Sequence, residues 1–219
     1  MRILIIQGHP DSAAPHFCHA LAQAYMDGAV QGGHELREID VAALNFPLLR
    51  SQAEWEHGEL PPELLPAQQA IEWCQHLLII FPLWLGDMPA LLKGFLEQVA
   101  RPGFAFKKGG ANPFGQKSLS GRSAHVLVTM GMPTLLYRWF FRAHSVKSLE
   151  RNVLGFVGFA PVHATLLGGI DGMDEIARLD CLEKLRQLGQ TSHGGAGHSV
   201  GEVVKSVSAA FSSGHHRGD

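Results

Sequence analysis

The chain is poor in cysteine, in charge and in long apolar runs, and each shortage closes off a class of function. Cys18, Cys74 and Cys181 are the three cysteines in 219 residues, and no CxxC pair is present. An odd, widely spaced set argues against a disulfide framework or a zinc site and for reduced thiols. Charged residues make up 17% and the formal net charge is -2, with no basic run able to track a phosphate backbone. No nucleic-acid partner is expected. No segment approaches the roughly 18 uninterrupted apolar residues of a membrane span. The longest candidate, HLLIIFPLWLG, is broken by Pro82. The opening RILIIQGHP carries too short an apolar run for a signal peptide and ends in the turn Gly8-His9-Pro10. The expected location is cytoplasmic. Two phosphate-binding motifs are also missing: neither GKS/GKT nor GxGxxG follows the first apolar run.

What is present is a 46% hydrophobic composition arranged in short segments of two kinds. RILIIQ, HLLIIFP, SAHVLVTMG and PVHATLLGG are apolar runs of strand length, whereas HELREIDV is charged enough for a sheet edge. Helical spacing is expected over about 15–29, 66–74, 89–99, 134–159 and 174–188. In the last, Ile176, Leu179, Leu182, Leu185 and Leu188 fall on one face. A proline-bearing excursion spans 42–62, and a loop rich in Gly, Lys, Asn and Pro spans 103–121. Alternation of strand and helix predicts a parallel sheet with helices on both faces. Residues 1–190 form that domain, and 191–219 read as a Gly/Ser/His-rich tail with one short helix.

Open sheets of this kind bind ligands beyond the carboxyl ends of their strands. Three strand ends carry unusual residues. QGHPDSAAPHF, after the first strand, offers a turn at Gly8 and donors at His9, Ser12 and His16, leading into a helix N-terminus suited to an anion. The blander reading is a helix start capped by Asp11 or Ser12. FPLWLGDMPALLKGF holds Trp84, Leu85 and Met88 in an irregular segment between Pro82 and Pro89. Such a segment builds an apolar wall with main-chain groups left over for a flat heterocycle, or simply covers the core. TMGMPTLLYRWFF brings Thr129 and Gly131 to the crevice, with Tyr137 and His144 as candidate proton donors; the run from Tyr137 to Phe141 would serve equally as a packing surface.

GHP followed by Phe17, then FPLWLGDMPALLKGFLEQV, PGFAF, and TMG with Tyr137 eight residues after the threonine, occur in that order. This pattern resembles the NAD(P)H:quinone oxidoreductase family of flavodoxin-like proteins over roughly residues 2–170. The resemblance implies an open parallel sheet of order 2-1-3-4-5, a bound FAD with FMN as the alternative, and NAD(P)H as co-substrate. It also implies a quinone-like acceptor served by ping-pong hydride transfer, and a homodimer. Carried over by position, it implies His9, Ser12, Phe17 and Cys18 around the flavin phosphate. Pro82, Leu83, Trp84 and Leu85 would lie along the ring, with backbone N–H groups aimed at its polar edge. Thr129, Met130 and Gly131 would border the ring, and Tyr137 with His144 would serve catalysis. No metal is expected. The chain departs from the family's usual residues at Cys18, at Met130 and Met132, and at Ala143, with His144 one residue beyond a position some members fill with histidine. Related proteins also include accessory subunits of potassium-efflux systems, which makes a membrane-transporter partner the alternative. GHSVG around Ser199 matches a serine-hydrolase pattern but lacks the strand that should precede it.

Overall fold

β1 (Arg2–Gln7), β2 (Glu35–Asp40), β3 (His76–Pro82), β4 (Ser123–Met130) and β5 (Val162–Gly168) pair side by side, all parallel, in the order β2-β1-β3-β4-β5. The structure, a computed structural model, describes residues 1–106 and 117–192. The apolar runs become strands because both sheet faces are covered, and alternate residues feed separate cores. Ile3, Ile5, Leu78, Ile80 and Leu127 meet α1 (Phe17–Gln31) and α8 (Glu175–Gln190) on one face. Leu4, Ile6, Ile79, Phe81, Val126 and Val128 meet α3 (Leu65–Trp73) and α4 (Ala90–Val99) on the other. β2 is the expected polar edge. The expected flavodoxin-like order is borne out.

The excursion over 42–62 contains a short α2 (Gln52–His57), capped by the Ser51 hydroxyl, which accepts the Glu54 amide. The helix expected over 134–159 is broken. α5 (Thr134–Trp139) ends, Arg142 and Ala143 adopt left-handed φ of 53° and 49°, and the chain restarts as α6 (His144–Ser148). A π-helical turn at Leu149–Leu154 then leads into α7 (Gly155–Val157). No glycine or proline marks this break, so the pattern hid it.

The packed face of α8 also differs from expectation. Ile176 and Leu179 are 79% and 57% exposed, while the buried stripe is Cys181, Leu185 and Gly189. The cause is a close backbone approach of α1 to α8. A Cβ on Gly28 would strike the Arg186 carbonyl, and one on Gly189 would strike the Tyr25 carbonyl. Two glycines therefore select the face, against the larger apolar residues. The Ser199 motif and the tail from 193 onward lie outside the described residues.

Two predictions follow from this packing. Leu185→Ala should destabilise the protein by about 2–5 kcal/mol in urea titration, while Ile176→Ser should change stability by less than about 0.5 kcal/mol; equal losses would contradict the assigned face. Burial holds His76 down at about 4 and His125 down at about 3, against an ordinary 6.5, with like charge on neighbouring histidines adding to the effect. Both are paired while neutral, His76 with Ser123 at 2.7 Å and His125 with Thr165 at 2.8 Å. The unfolded chain binds protons that these rings refuse. Stability should therefore fall as pH drops from 6.5 towards 4, by up to about 1.4 kcal/mol per pH unit for each histidine. His125→Asn should lower that slope in pH-dependent melts.

Candidate active site

Three strand ends are tied to one another by short bonds. The Gly8 amide, just past β1, donates to the Ile80 carbonyl of β3 at 2.7 Å. A Cβ on Gly8 would lie 2.7 Å from Leu92 Cδ2 and 3.2 Å from the Ile80 carbonyl oxygen, so a larger residue there would displace the Leu92 side chain. The Leu83 amide, just past β3, donates to the Thr129 carbonyl of β4 at 2.8 Å. The Cys18 thiol at the start of α1 pairs with the Thr129 hydroxyl at 3.1 Å. Loops from β1, β3 and β4 are thereby gathered at one edge of the sheet. Cys18, Thr129 and Met130 are buried in this junction and brace it from below. Burial pushes the Cys18 thiol up to about 11, so it stays neutral and acts as a hydrogen-bonding spacer.

The segment after β3 resolves into a tight hairpin. Trp84 and Asp87 exchange both backbone hydrogen bonds, 2.8 Å and 3.0 Å, across Leu85 (φ 49°) and Gly86 (φ 81°). Two successive positive φ values at a two-residue loop are the arrangement that matches strand twist. Gly86 supplies one without strain, whereas Leu85 adopts the other despite its Cβ. Two of the amides expected to face a ring, those of Leu83 and Trp84, are already engaged. Pro82 has none, Leu83 donates to Thr129, Trp84 to Asp87, and Met88 to the Asp87 carboxylate. The amides of Leu85 and Gly86 are left without a partner among the described residues. Leu85 is fully exposed and Trp84 is 51% exposed, so the hairpin presents an apolar wall beside two unused donors.

The β1–α1 loop is denser in imidazole than the sequence pattern indicated. α1 begins at Phe17, and neither Asp11 nor Ser12 caps it: Ser12 is exposed, and the Asp11 carboxylate accepts from Ala13 at 2.8 Å and pairs with His16 at 2.9 Å. That pairing with His16 is the chief reason the Asp11 carboxyl is held below its ordinary value. His9 and His16 stack at 3.9 Å between ring centroids, and His19 stands 5.2 Å and 5.7 Å from them. The His9 ring meets Trp84 edge-on at 6.2 Å, linking the first loop to the hairpin. Phe17 lies under the Arg178 guanidinium at 5.1 Å. His19 went unremarked in the sequence; its spacing of three from His16 on a helix was the available signal.

Beyond β4, Gly131 is exposed and a Cβ there would strike the Asp171 carboxylate, which arrives from the turn after β5. The sequence pattern gave no sign that Asp171 reaches this end of the sheet. Tyr137 is buried, its hydroxyl hydrogen-bonded to Ser145 at 2.6 Å, while His144 beside it is exposed. Among the described residues no three His, Cys, Asp or Glu side chains converge as metal ligands. A separate concavity of ≈ 660 Å³, bordered by Trp55, Leu96, Phe106 and Phe156, includes none of the residues at the ends of β1, β3 and β4.

A family model described as a flavodoxin-like fold matches residues 1–188. The chain belongs to this family. An uncharacterized NAD(P)H oxidoreductase of Haemophilus influenzae is 27% identical over 194 residues, 87% of this chain and 95% of its own length. An FMN-dependent NADH:quinone oxidoreductase of Bacillus cereus is 25% identical over 197 residues, covering 79% and 88%. The solved NAD(P)H:quinone oxidoreductase of Methanothermobacter marburgensis superposes with a TM-score of 0.72 at 28% identity, covering 88% of this chain and 98% of that one. The resemblance to NAD(P)H:quinone oxidoreductases read from the three strand-end motifs is borne out.

In this flavodoxin-like protein the thiols should be chemically silent. Burial raises Cys18 and Cys74 to about 11 and raises Cys181 as well. Native protein at pH 8 should leave a chromogenic disulfide reagent unreacted on the minutes scale, and all three thiols should react after denaturation. Rapid native labelling at Cys18 would mean that its bond to Thr129 is not kept.

Proposed function

We propose that this protein is a flavin-dependent NAD(P)H oxidoreductase acting on a quinone or another flat acceptor. The observation that carries the reading is the junction itself: an apolar wall of Trp84 and Leu85, unused amides at Leu85 and Gly86, and imidazole donors at His9, all at the tied ends of β1, β3 and β4. Apolar walls with a few fixed polar groups suit a planar heteroaromatic ligand. FMN is preferred over FAD: the Bacillus relative is named as FMN-dependent, and the β1–α1 loop gathers His9, His16 and Asp11 into one polar cluster.

A bound flavin supplies hydride chemistry between NAD(P)H and the acceptor; the protein supplies placement and electrostatics. The Leu85 and Gly86 amides, unused by the hairpin, would be the donors that hold the polar edge of such a ring. Trp84 and Leu85 exclude water from one side of it. The β1–α1 loop holds the phosphate, with His9 as donor and Phe17 packed beneath Arg178. Thr129 and Met130 set the floor from within the core, and Gly131 leaves room beside Asp171. His144 is exposed to solvent at the start of α6. Tyr137 acts through Ser145, fixing the start of α6 and with it His144. One crevice serves both substrates in turn, so the kinetics are ping-pong. Leu135, Trp139 and Phe140, exposed on and just after α5, form the contact of a homodimer.

Purified protein reconstituted with FMN should show a flavin spectrum and oxidise NADH or NADPH with a soluble quinone. Varying both substrates should give parallel double-reciprocal lines. Intersecting lines would reject substitution kinetics, and failure to take up any flavin would reject the assignment as a whole.

A further inference from the structure

His9 and His16 of the β1–α1 loop and His19 in the first turn of α1 form one contiguous cluster of imidazoles. His9 is 6% exposed, and its Nδ1 sits 3.1 Å from the Asp11 amide nitrogen and 3.0 Å from the Asp11 carbonyl oxygen. It can accept from the amide when neutral and donate to the carbonyl when protonated. In both states Nε2 carries a hydrogen, and Nε2 has no partner among the described residues. His19 Nδ1 accepts the His16 amide at 3.1 Å, which leaves the proton of neutral His19 on Nε2 as well. His16 Nε2 faces the Asp11 carboxylate.

The charges around this cluster are few. Asp11 is the carboxylate bonded to it. Glu38, on β2, acts on His19 from a distance, and its own acidity is weakened by burial and by Asp40. Arg178, from α8, is committed to the Met173 and Ile170 carbonyls over Phe17. Without a ligand, protonating these rings places like charges in stacked contact. Burial, followed by the charge of His16, keeps His9 below its ordinary range. A phosphate dianion reverses that balance, since opposite charge favours the protonated ring.

We propose that His9, His16 and His19 form a proton-linked phosphate site that takes up a proton as it takes a phosphate monoester, and so selects phosphorylated flavin over the unphosphorylated ring. This rests on the flavin reading above and adds to it the source of the positive charge. The direction follows from linkage. A histidine whose affinity for protons is higher in the complex contributes binding that is full below its free-state value and lost as pH rises through its bound-state value. The phosphate's own second ionisation lies near 6, so the informative window begins at pH 6.5.

The test is FMN and riboflavin binding to the full chain, read by quenching of flavin fluorescence between pH 6.5 and 8.5. Calorimetry at pH 7.5 in two buffers of different ionisation enthalpy accompanies it. FMN should bind about tenfold more weakly at pH 8.5 than at 6.5, an average uptake of about half a proton across that window, with net proton uptake in the calorimeter, while riboflavin affinity stays level. His9→Gln with His16→Gln, checked by thermal melting, should flatten the FMN profile. FMN bound without proton uptake, or riboflavin following the same pH slope, overturns the proposal and leaves the flavin reading standing. Absence of binding by either flavin at every pH overturns the flavin reading itself.

Discussion

Parallel pairing of β1, β3 and β4, carried just past the strand ends, is the constraint on which the rest depends. A parallel ladder ends all its strands in one direction, so the loops that follow must share an edge. Here the shared edge is tightened by two main-chain bonds, Gly8 to Ile80 and Leu83 to Thr129, and by the Cys18–Thr129 pair. Each lies at or next to buried residues, where a lost partner is costly. The loops can therefore be irregular without being loose.

This bracing accounts for the division of labour among the residues at the junction. Cys18, Thr129 and Met130 occupy positions that the motifs associate with a ligand, yet they face inward and hold the loops in place. The residues that remain outward, Trp84, Leu85 and Gly131, offer surface and backbone in place of reactive groups. That is the composition expected where the reactive chemistry belongs to a bound cofactor. The hairpin at Leu85–Gly86 follows the same logic. It satisfies its own Trp84 and Asp87 groups and keeps two amides in reserve, at the expense of a leucine in a left-handed conformation.

The two faces of the sheet are built differently. On the α3 and α4 side, large side chains fill the space, and hydrophobic pattern and burial agree. On the α1 and α8 side, contact is made by backbone at Gly28 and Gly189, so the helices meet where side chains are absent. Ile176 and Leu179 stay exposed for that reason: an apolar pattern weights the large residues, and this contact selects the small ones. The break at Arg142 and Ala143 escaped notice for a related reason, because neither residue type announces a left-handed turn.

By itself the sequence determined the alternation of strand and helix, the buried nature of β1, β3 and β4, the polar edge at β2, and which three loops would hold the unusual residues. Those properties follow from local composition and period, which a linear chain displays directly. Only the tertiary structure decided which side chains face the crevice and which brace it, that His9 stacks on His16 with His19 alongside, that Asp171 reaches Gly131, and that the Tyr137 hydroxyl is committed to Ser145. These depend on distances between segments far apart in the chain, or on the path of a loop without period, and both are set by packing.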